Sequence, residues 1–168
     1  MEIKLQSIRV RDLVAGYEND ADKGVLGYGG RLDIRPPYQR EFRYDLMISA
    51  DNAHAWHPNY SEKYDPTNHP VLGGGPVIKF NAAQKYASDA VSAAVFAEIC
   101  REAGVPCQRF VNHSDVAGGS TLGNILASSI PVRGVDMGNA ILAMHSCRET
   151  GSAADHIYCV KAFTRFFS

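Results

Sequence analysis

The sequence predicts an α/β fold, a mixed sheet flanked by helices. Three observations carry the prediction: short apolar runs of strand length that close on polar residues, longer tracts with helical spacing between them, and helix start signals at the heads of those tracts. Strands that alternate with helices of this length form a sheet whose faces the helices cover.

The elements follow in order from residue 45. Leu46 to Ala50 is a short apolar run closing on Asp51, the pattern of a buried strand with a polar residue at its C-terminal end. Gly73-Gly74-Gly75 before Pro76 reads as a flexible turn into a second strand, Val77 to Phe80; no Gly-Lys-Ser/Thr follows at the spacing a phosphate loop needs. Asn81 stands where it would cap a long helix through Ala103, with Ala87, Val91, Val95 and Ile99 in one stripe and Gly104 and Pro106 as its stop. A strand near Arg109 to Asn112 comes next. It leads to a helix opening at Gly119 to Thr121, with Leu122, Ile125 and Leu126 facing inward. Val132 to Val135 reads as a further strand ending at Asp136. Ser152 and Asp155 have capping-box spacing for a last helix to Phe167, whose inner face includes Ile157, Val160 and Phe163. No internal repeat is visible.

Composition bounds the class. At 168 residues, 45% hydrophobic and 21% charged, the chain can bury one respectable core, and a net charge of -1 points to neither a polyanion partner nor a membrane surface. Nucleic acid is accordingly not an expected partner. Cys100, Cys107, Cys147 and Cys159 form no CxxC pair and read as reduced thiols in or near the core, which favours a cytoplasmic setting. The opening MEIKLQSIRVRD lacks an apolar secretory core, and no apolar run reaches spanning length.

The character changes near Tyr44. Residues 1–44 form a turn-rich, polar arm with Gly24, Gly27, Gly29, Gly30 and Pro36-Pro37, too poor in apolar runs to pack well unaided. Residues 45–168 carry the alternating pattern.

Polar residues at strand ends are where open α/β folds place their chemistry. By spacing alone Asp51 reads as a turn or helix cap, and His145, behind the apolar run Ile141 to Met144, as a partly buried structural imidazole. Lys79 reads as a solvated strand-end lysine, and His57, His69 and His113 as surface or loop histidines. Gly118-Gly119-Ser120-Thr121 is either an anion-holding helix N-terminus or a tight turn with a capping hydroxyl.

Two stretches change the weighting. ISADNAHAWHPNY from Ile48 and AMHSCRE from Ala143, with SDVAGGSTLGN between them, closely resemble the C-terminal part of the aspartyl aminopeptidase family, cytosolic metallopeptidases with two zinc ions. The likeness covers about three quarters of the chain. It implies an incomplete zinc-aminopeptidase catalytic domain in residues 45–168. Asp51 and His145 would each be a ligand of a different zinc. His54, Lys79 and Tyr86 would line the pocket for the substrate's N-terminal residue. An ammonium at Lys79 would favour peptides beginning with Asp or Glu. Ser146 and Glu149 would support the local backbone or fix the imidazole tautomer of His145. The resemblance also implies assembly into homo-oligomers. The family's general-base Glu and three further metal ligands, a His and a bridging Asp among them, match nothing in this sequence, so no catalytic residue is assigned and the isolated chain is expected to be inactive.

The arm has its own likeness. IRVRDLVAGYENDADKGVLGYGGRLDIRPPYQREF, through Arg35, Pro36, Pro37, Gln39 and Arg40, resembles the start of the ParB-like domain of GmrSD-type restriction enzymes, without that family's catalytic motif. Two other roles therefore stand beside the peptidase: a non-catalytic interaction module on a peptidase scaffold, and a remnant of a DNA restriction component.

Overall fold

The structure is a computed structural model that describes residues 46–168; the expectations for the arm, residues 1–44, lie outside the described residues. In chain order the described residues form strands β1 (Met47–Ala50), β2 (Ala53–His54), β3 (Val77–Phe80), β4 (Gln108–Val111), β5 (Gly134–Gly138), β6 (Ala140–Leu142) and β7 (Thr150–Gly151). The helices are α1 (Ala90–Glu102), α2 (Leu122–Ser129) and α3 (Ala153–Phe166), with a short 3-10 helix at Pro58–Lys63.

The main sheet is mixed, in the order β1-β5-β3-β4. β1 runs parallel to β5, β5 antiparallel to β3, and β3 parallel to β4. Successive residues of a strand face opposite sides, so each strand divides its side chains between two environments. Ile78, Val135 and Met137 join Phe96, Ile99 and Cys100 of α1 and Cys159 and Ala162 of α3 in the main apolar core. Phe96 is fully buried there, and truncating it to Ala would cost about 3–5 kcal/mol. The opposite face carries Ser49, Lys79, Asp136 and Gly138, and α2 lies against it through Gly123. A smaller sheet, β2-β6-β7, continues from the ends of β1 and β5. The α/β class with helices on the sheet faces is thus the observed one.

Several local expectations are corrected. The first helix starts at Ala90, not after Asn81: Asp89 caps it in a reciprocal box with Ser92, while Asn81 closes a tight turn by accepting the Ala83 N–H at 2.9 Å. Ala87 and Ser88 are held instead by Asp136 of β5, a tertiary contact that overrides the helical tendency of the Ala-rich tract. The buried face of α1 is Ser92, Ala93, Phe96, Ile99 and Cys100, and Val91 stays exposed. On α2 the inward residue is Gly123, whereas Leu122, Ile125 and Leu126 are exposed. The strand expected at Val132 to Val135 is shifted to Gly134–Gly138, so Asp136 sits inside it. Ser152 does cap α3, accepting the Ala154 N–H at 3.2 Å, but Asp155 does not reach back to complete a box. Its fully buried carboxylate takes the N–H groups of Gly73 and Gly75, each at 2.8 Å. The buried side of α3 is accordingly Asp155, Cys159 and Ala162, with Ile157 and Val160 exposed. All four thiols are free; Cys100 and Cys159 are buried, Cys107 is half-buried and Cys147 is exposed, outside the core. Among the described residues no helix is long and apolar enough to cross a membrane.

Candidate active site

β1 ends beside β5, and the next residues are drawn tightly over it. Asp51 donates its N–H to Met137 O at 2.8 Å, and a Cβ on Gly138 would stand 1.9 Å from Asp51 O. Only a glycine allows that approach, which fixes where Asp51 leaves the strand. Two residues on, β2 pairs with β6 and carries His54, and β6 then leads to His145.

Lys79, at the end of β3, is 3% exposed, and the expectation of a solvated strand-end lysine is wrong. Its Nζ lies 3.5 Å from Asp51 Oδ2 and 3.3 Å from Asn52 O, and 5.1 Å from the centre of the Tyr86 ring, a cation–π distance. Burial pushes the Lys79 pKa down, opposed by the carboxylates of Asp51 and Asp136. Burial raises the Tyr86 hydroxyl, helped by the same two carboxylates. The imidazole of His54 is lowered first by partial burial, then by the neighbouring charges of His145 and Lys79.

His145 sits in a sharp turn. Its own φ is 66 and that of Ala143 is 55, both left-handed values that L residues rarely adopt. Glu149 Oε1 accepts the His145 N–H at 2.5 Å and holds the turn, the backbone support expected of it. His145, like Asp51, is exposed. The structure therefore brings Asp51, His54, Lys79, Tyr86 and His145 to one end of the sheet. His57, His69 and His113 stand apart in loops: His57 Nδ1 accepts from Asn59 N at 3.2 Å, His69 Nδ1 lies 3.0 Å from Asp65 O, and His113 Nδ1 accepts from Asp115 N at 3.4 Å. At the start of α2, Thr121 is the capping residue by position, yet its side chain makes no capping bond, and its buried Oγ1 has no partner.

Sequence reasoning missed Asp136. It is fully buried, accepts the Ala87 N–H at 2.6 Å through Oδ2, and its Oδ1 has no partner. The available signal was an acidic residue flanked by Val135 and Met137, which reads as a strand end but is equally a charge inside a strand.

Among the described residues no three His, Cys, Asp or Glu side chains cluster closely enough to hold a metal ion. Asp51 and His145 offer one carboxylate and one imidazole, and Asp51 already faces the Lys79 ammonium. A zinc ion with its usual three protein ligands does not fit the described residues alone.

Residues 34–167 match the family profile described as aminopeptidase I zinc metalloprotease, M18. A probable M18 family aminopeptidase 2 of Clostridium acetobutylicum is 50% identical over 144 residues, 86% of this chain and 33% of that protein. Among solved structures, the cryo-EM structure of the Ape4 and Nbr1 complex aligns with a TM-score of 0.71 at 43% identity, covering 73% of this chain and 23% of that one. The S. cerevisiae mApe1 dodecamer aligns with a TM-score of 0.61 at 32% identity, covering 73% and 26%. The chain spans about a third of the length of the curated relatives it matches. With the profile running through all of the described sheet and its helices, the chain belongs to the M18 family of zinc metalloproteases related to aminopeptidase I.

Proposed function

We propose that this chain is the C-terminal portion of a zinc-dependent aminopeptidase that releases N-terminal acidic residues from peptides, and that it is inactive alone. Asp51 and His145 each supply one ligand to a different zinc, and His54, Lys79 and Tyr86 form the pocket for the first residue of the substrate. The observation carrying this reading is the convergence of those five residues at one end of the sheet around a buried ammonium. An acidic side chain entering there would exchange water for the Lys79 charge, and a basic one would meet it. The two metal donors are exposed, as they would be if the remaining ligands and the general base came from elsewhere. Assembly into a homo-oligomer in the cytoplasm fits the dodecameric relative and the four free thiols. Residues 1–44 keep their restriction-enzyme-like likeness as a proposed arm, with residues 34–44 shared with the M18 profile.

Complementation tests it. The chain is mixed with the remaining two thirds of the Clostridium acetobutylicum relative, with zinc, and aspartate release from a short Asp-initiated peptide is followed. Release by the mixture and none by the chain alone is the expected result. Release by the chain alone would refute its inactivity, and an assembled but silent mixture would refute the assigned pocket and ligands.

A non-catalytic interaction module is favoured by one observation, the exposed apolar residues of α2: Leu122 is 78% and Ile125 58% exposed. The silent, assembled mixture is the outcome that would select it.

A further inference from the structure

Asp136 is one of two fully buried carboxylates of the described fold, with Asp155, and the one that lies in the same sheet as Lys79. Its environment is unusual for a carboxylate: it lies inside β5, it is 0% exposed, and among the described residues it forms no ion pair. Such a group is kept only where its hydrogen bonds offset the desolvation. Three of its atoms grip one short segment. Oδ2 accepts the Ala87 N–H at 2.6 Å, its own N–H donates to Ser88 Oγ at 2.9 Å, and Ser88 Oγ donates to the Asp136 carbonyl at 3.3 Å. A bridge between Ser88 and Gly134 extends the same contact. That segment is otherwise irregular chain between a turn at Asn81 and the cap of α1 at Asp89, and these bonds tie it to β5 beside the packing of the Tyr86 ring against Val77, Phe110 and Ala140.

The residue immediately before the gripped pair is Tyr86, whose ring faces the Lys79 ammonium. The other oxygen of Asp136 points to the opposite side. A Cβ on Gly123 would lie 2.9 Å from Oδ1 and 2.7 Å from Ser49 Oγ, so α2 closes over the carboxylate with its backbone and leaves no room for a side chain. Oδ1 has no protein donor there.

We propose that Asp136 is a positioning residue of the substrate pocket, pinning Tyr86–Ser88 to β5 and so setting where the Tyr86 ring stands against Lys79. This rests on the reading of Lys79 and Tyr86 as pocket residues. Asp136 does not touch the substrate in this arrangement; it acts through Ala87 and Tyr86. The carboxylate is required as an acceptor, and an amide oxygen at the same place can do the same work.

The experiment is NMR of the chain with carbon-labelled tyrosine, together with hydrogen exchange at the Ala87 N–H, on the wild type and on D136A, D136N and D136L. The Tyr86 signal is assigned with Y86F, and each sample is measured before and after addition of L-aspartate or L-leucine. In D136A the Tyr86 ring resonances are expected to move and Ala87 exchange to quicken at least tenfold. D136N is expected to return both towards the wild type. A residue that only stabilised the fold would lower the melting temperature while leaving the Tyr86 ring and the Ala87 N–H unmoved, and that result in folded D136A would overturn the proposal. If D136A does not fold, D136L, which fills similar space without an acceptor, carries the test: quickened Ala87 exchange supports the proposal and unchanged exchange overturns it. The ligand arm separates the two readings. Shifts on adding L-aspartate but not L-leucine support the acidic pocket. Their absence, with Tyr86 still displaced in D136A, defeats the pocket and leaves the positioning role standing.

Discussion

Replacing Asp155 with Ala removes the acceptor that holds the turn entering β3, the strand that carries Lys79. The carboxylate is 0% exposed and accepts two backbone N–H groups, from Gly73 and Gly75, both at 2.8 Å. A hydrogen bond to a charged group contributes about 1.5–3 kcal/mol, and both amides lose their acceptor together. If the turn stayed closed the cost would be on the order of 3–6 kcal/mol; opening of the turn to water brings the expected value to about 3 kcal/mol. Gly75 adds a constraint, since its φ is 89 and a Cβ there would meet Pro106 O at 2.1 Å, so the turn has few other conformations in which to settle. The assay is urea unfolding followed by far-UV circular dichroism, with D155N as the second variant. Asparagine retains one acceptor but turns an NH2 towards the other glycine amide, so it should recover at most part of the loss. An Ala variant within about 0.5 kcal/mol of the wild type, the usual spread for surface substitutions, would refute the clamp.

Three further outcomes follow from particular contacts. Lys79→Met should abolish the proposed preference for L-aspartate over L-leucine, a change of roughly ten- to a hundredfold if one charge-assisted contact of about 1.5–3 kcal/mol is lost. Calorimetric titration reads this, and an unchanged preference would rule Lys79 out as the selecting charge. Gly138→Ala puts a methyl group into the Asp51 carbonyl, 1.9 Å away, and should cost on the order of 1–3 kcal/mol in thermal unfolding and shift the Asp51 amide resonance; a silent substitution would mean that β1 and β5 do not approach as described. Asp65 is held down to about 2 by hydrogen bonds from Asn68 and Thr67. Its folded value lies below the ordinary 3.8, so its contribution to stability is present above that pH and is lost as the pH falls from there towards about 2. A carboxyl-carbon titration of Asp65 with a midpoint near 3.8 would contradict the loop geometry.

The strands of the main sheet were legible because apolar runs bounded by turn residues have few other uses, and β1, β3 and β4 lie within about a residue of the expected places. The helices were legible in existence and only in part in orientation: Ile99 is buried and Phe163 packs against the core as expected. Leu122, Ile125, Ile157 and Val160 are apolar and outward-facing, whereas Gly123, Asp155 and Ala162 are the inward residues. Side-chain hydrophobicity cannot announce a helix that docks through a glycine, or a carboxylate that turns inward to two backbone amides 80 and 82 residues away in sequence. The two- and three-residue strands β2, β6 and β7 are too short to leave a periodic pattern. The same limit applies at the site. Spacing alone placed Asp51 in a cap, His145 in a core and Lys79 in solvent; motif likeness singled out these residues, and only the folded chain shows Lys79 buried against Asp51 and Tyr86. Asp136 carried no motif and became visible only through the absence of a donor at its second oxygen.

How many zinc ions the chain retains decides whether its site is incomplete. Zinc per chain is measured after exhaustive dialysis, for the chain alone and for its complex with the remaining two thirds of the Clostridium acetobutylicum relative. Close to none is expected for the chain alone and two per complex. A tightly held zinc in the isolated chain, lost on Asp51→Ala or His145→Ala, would contradict that expectation.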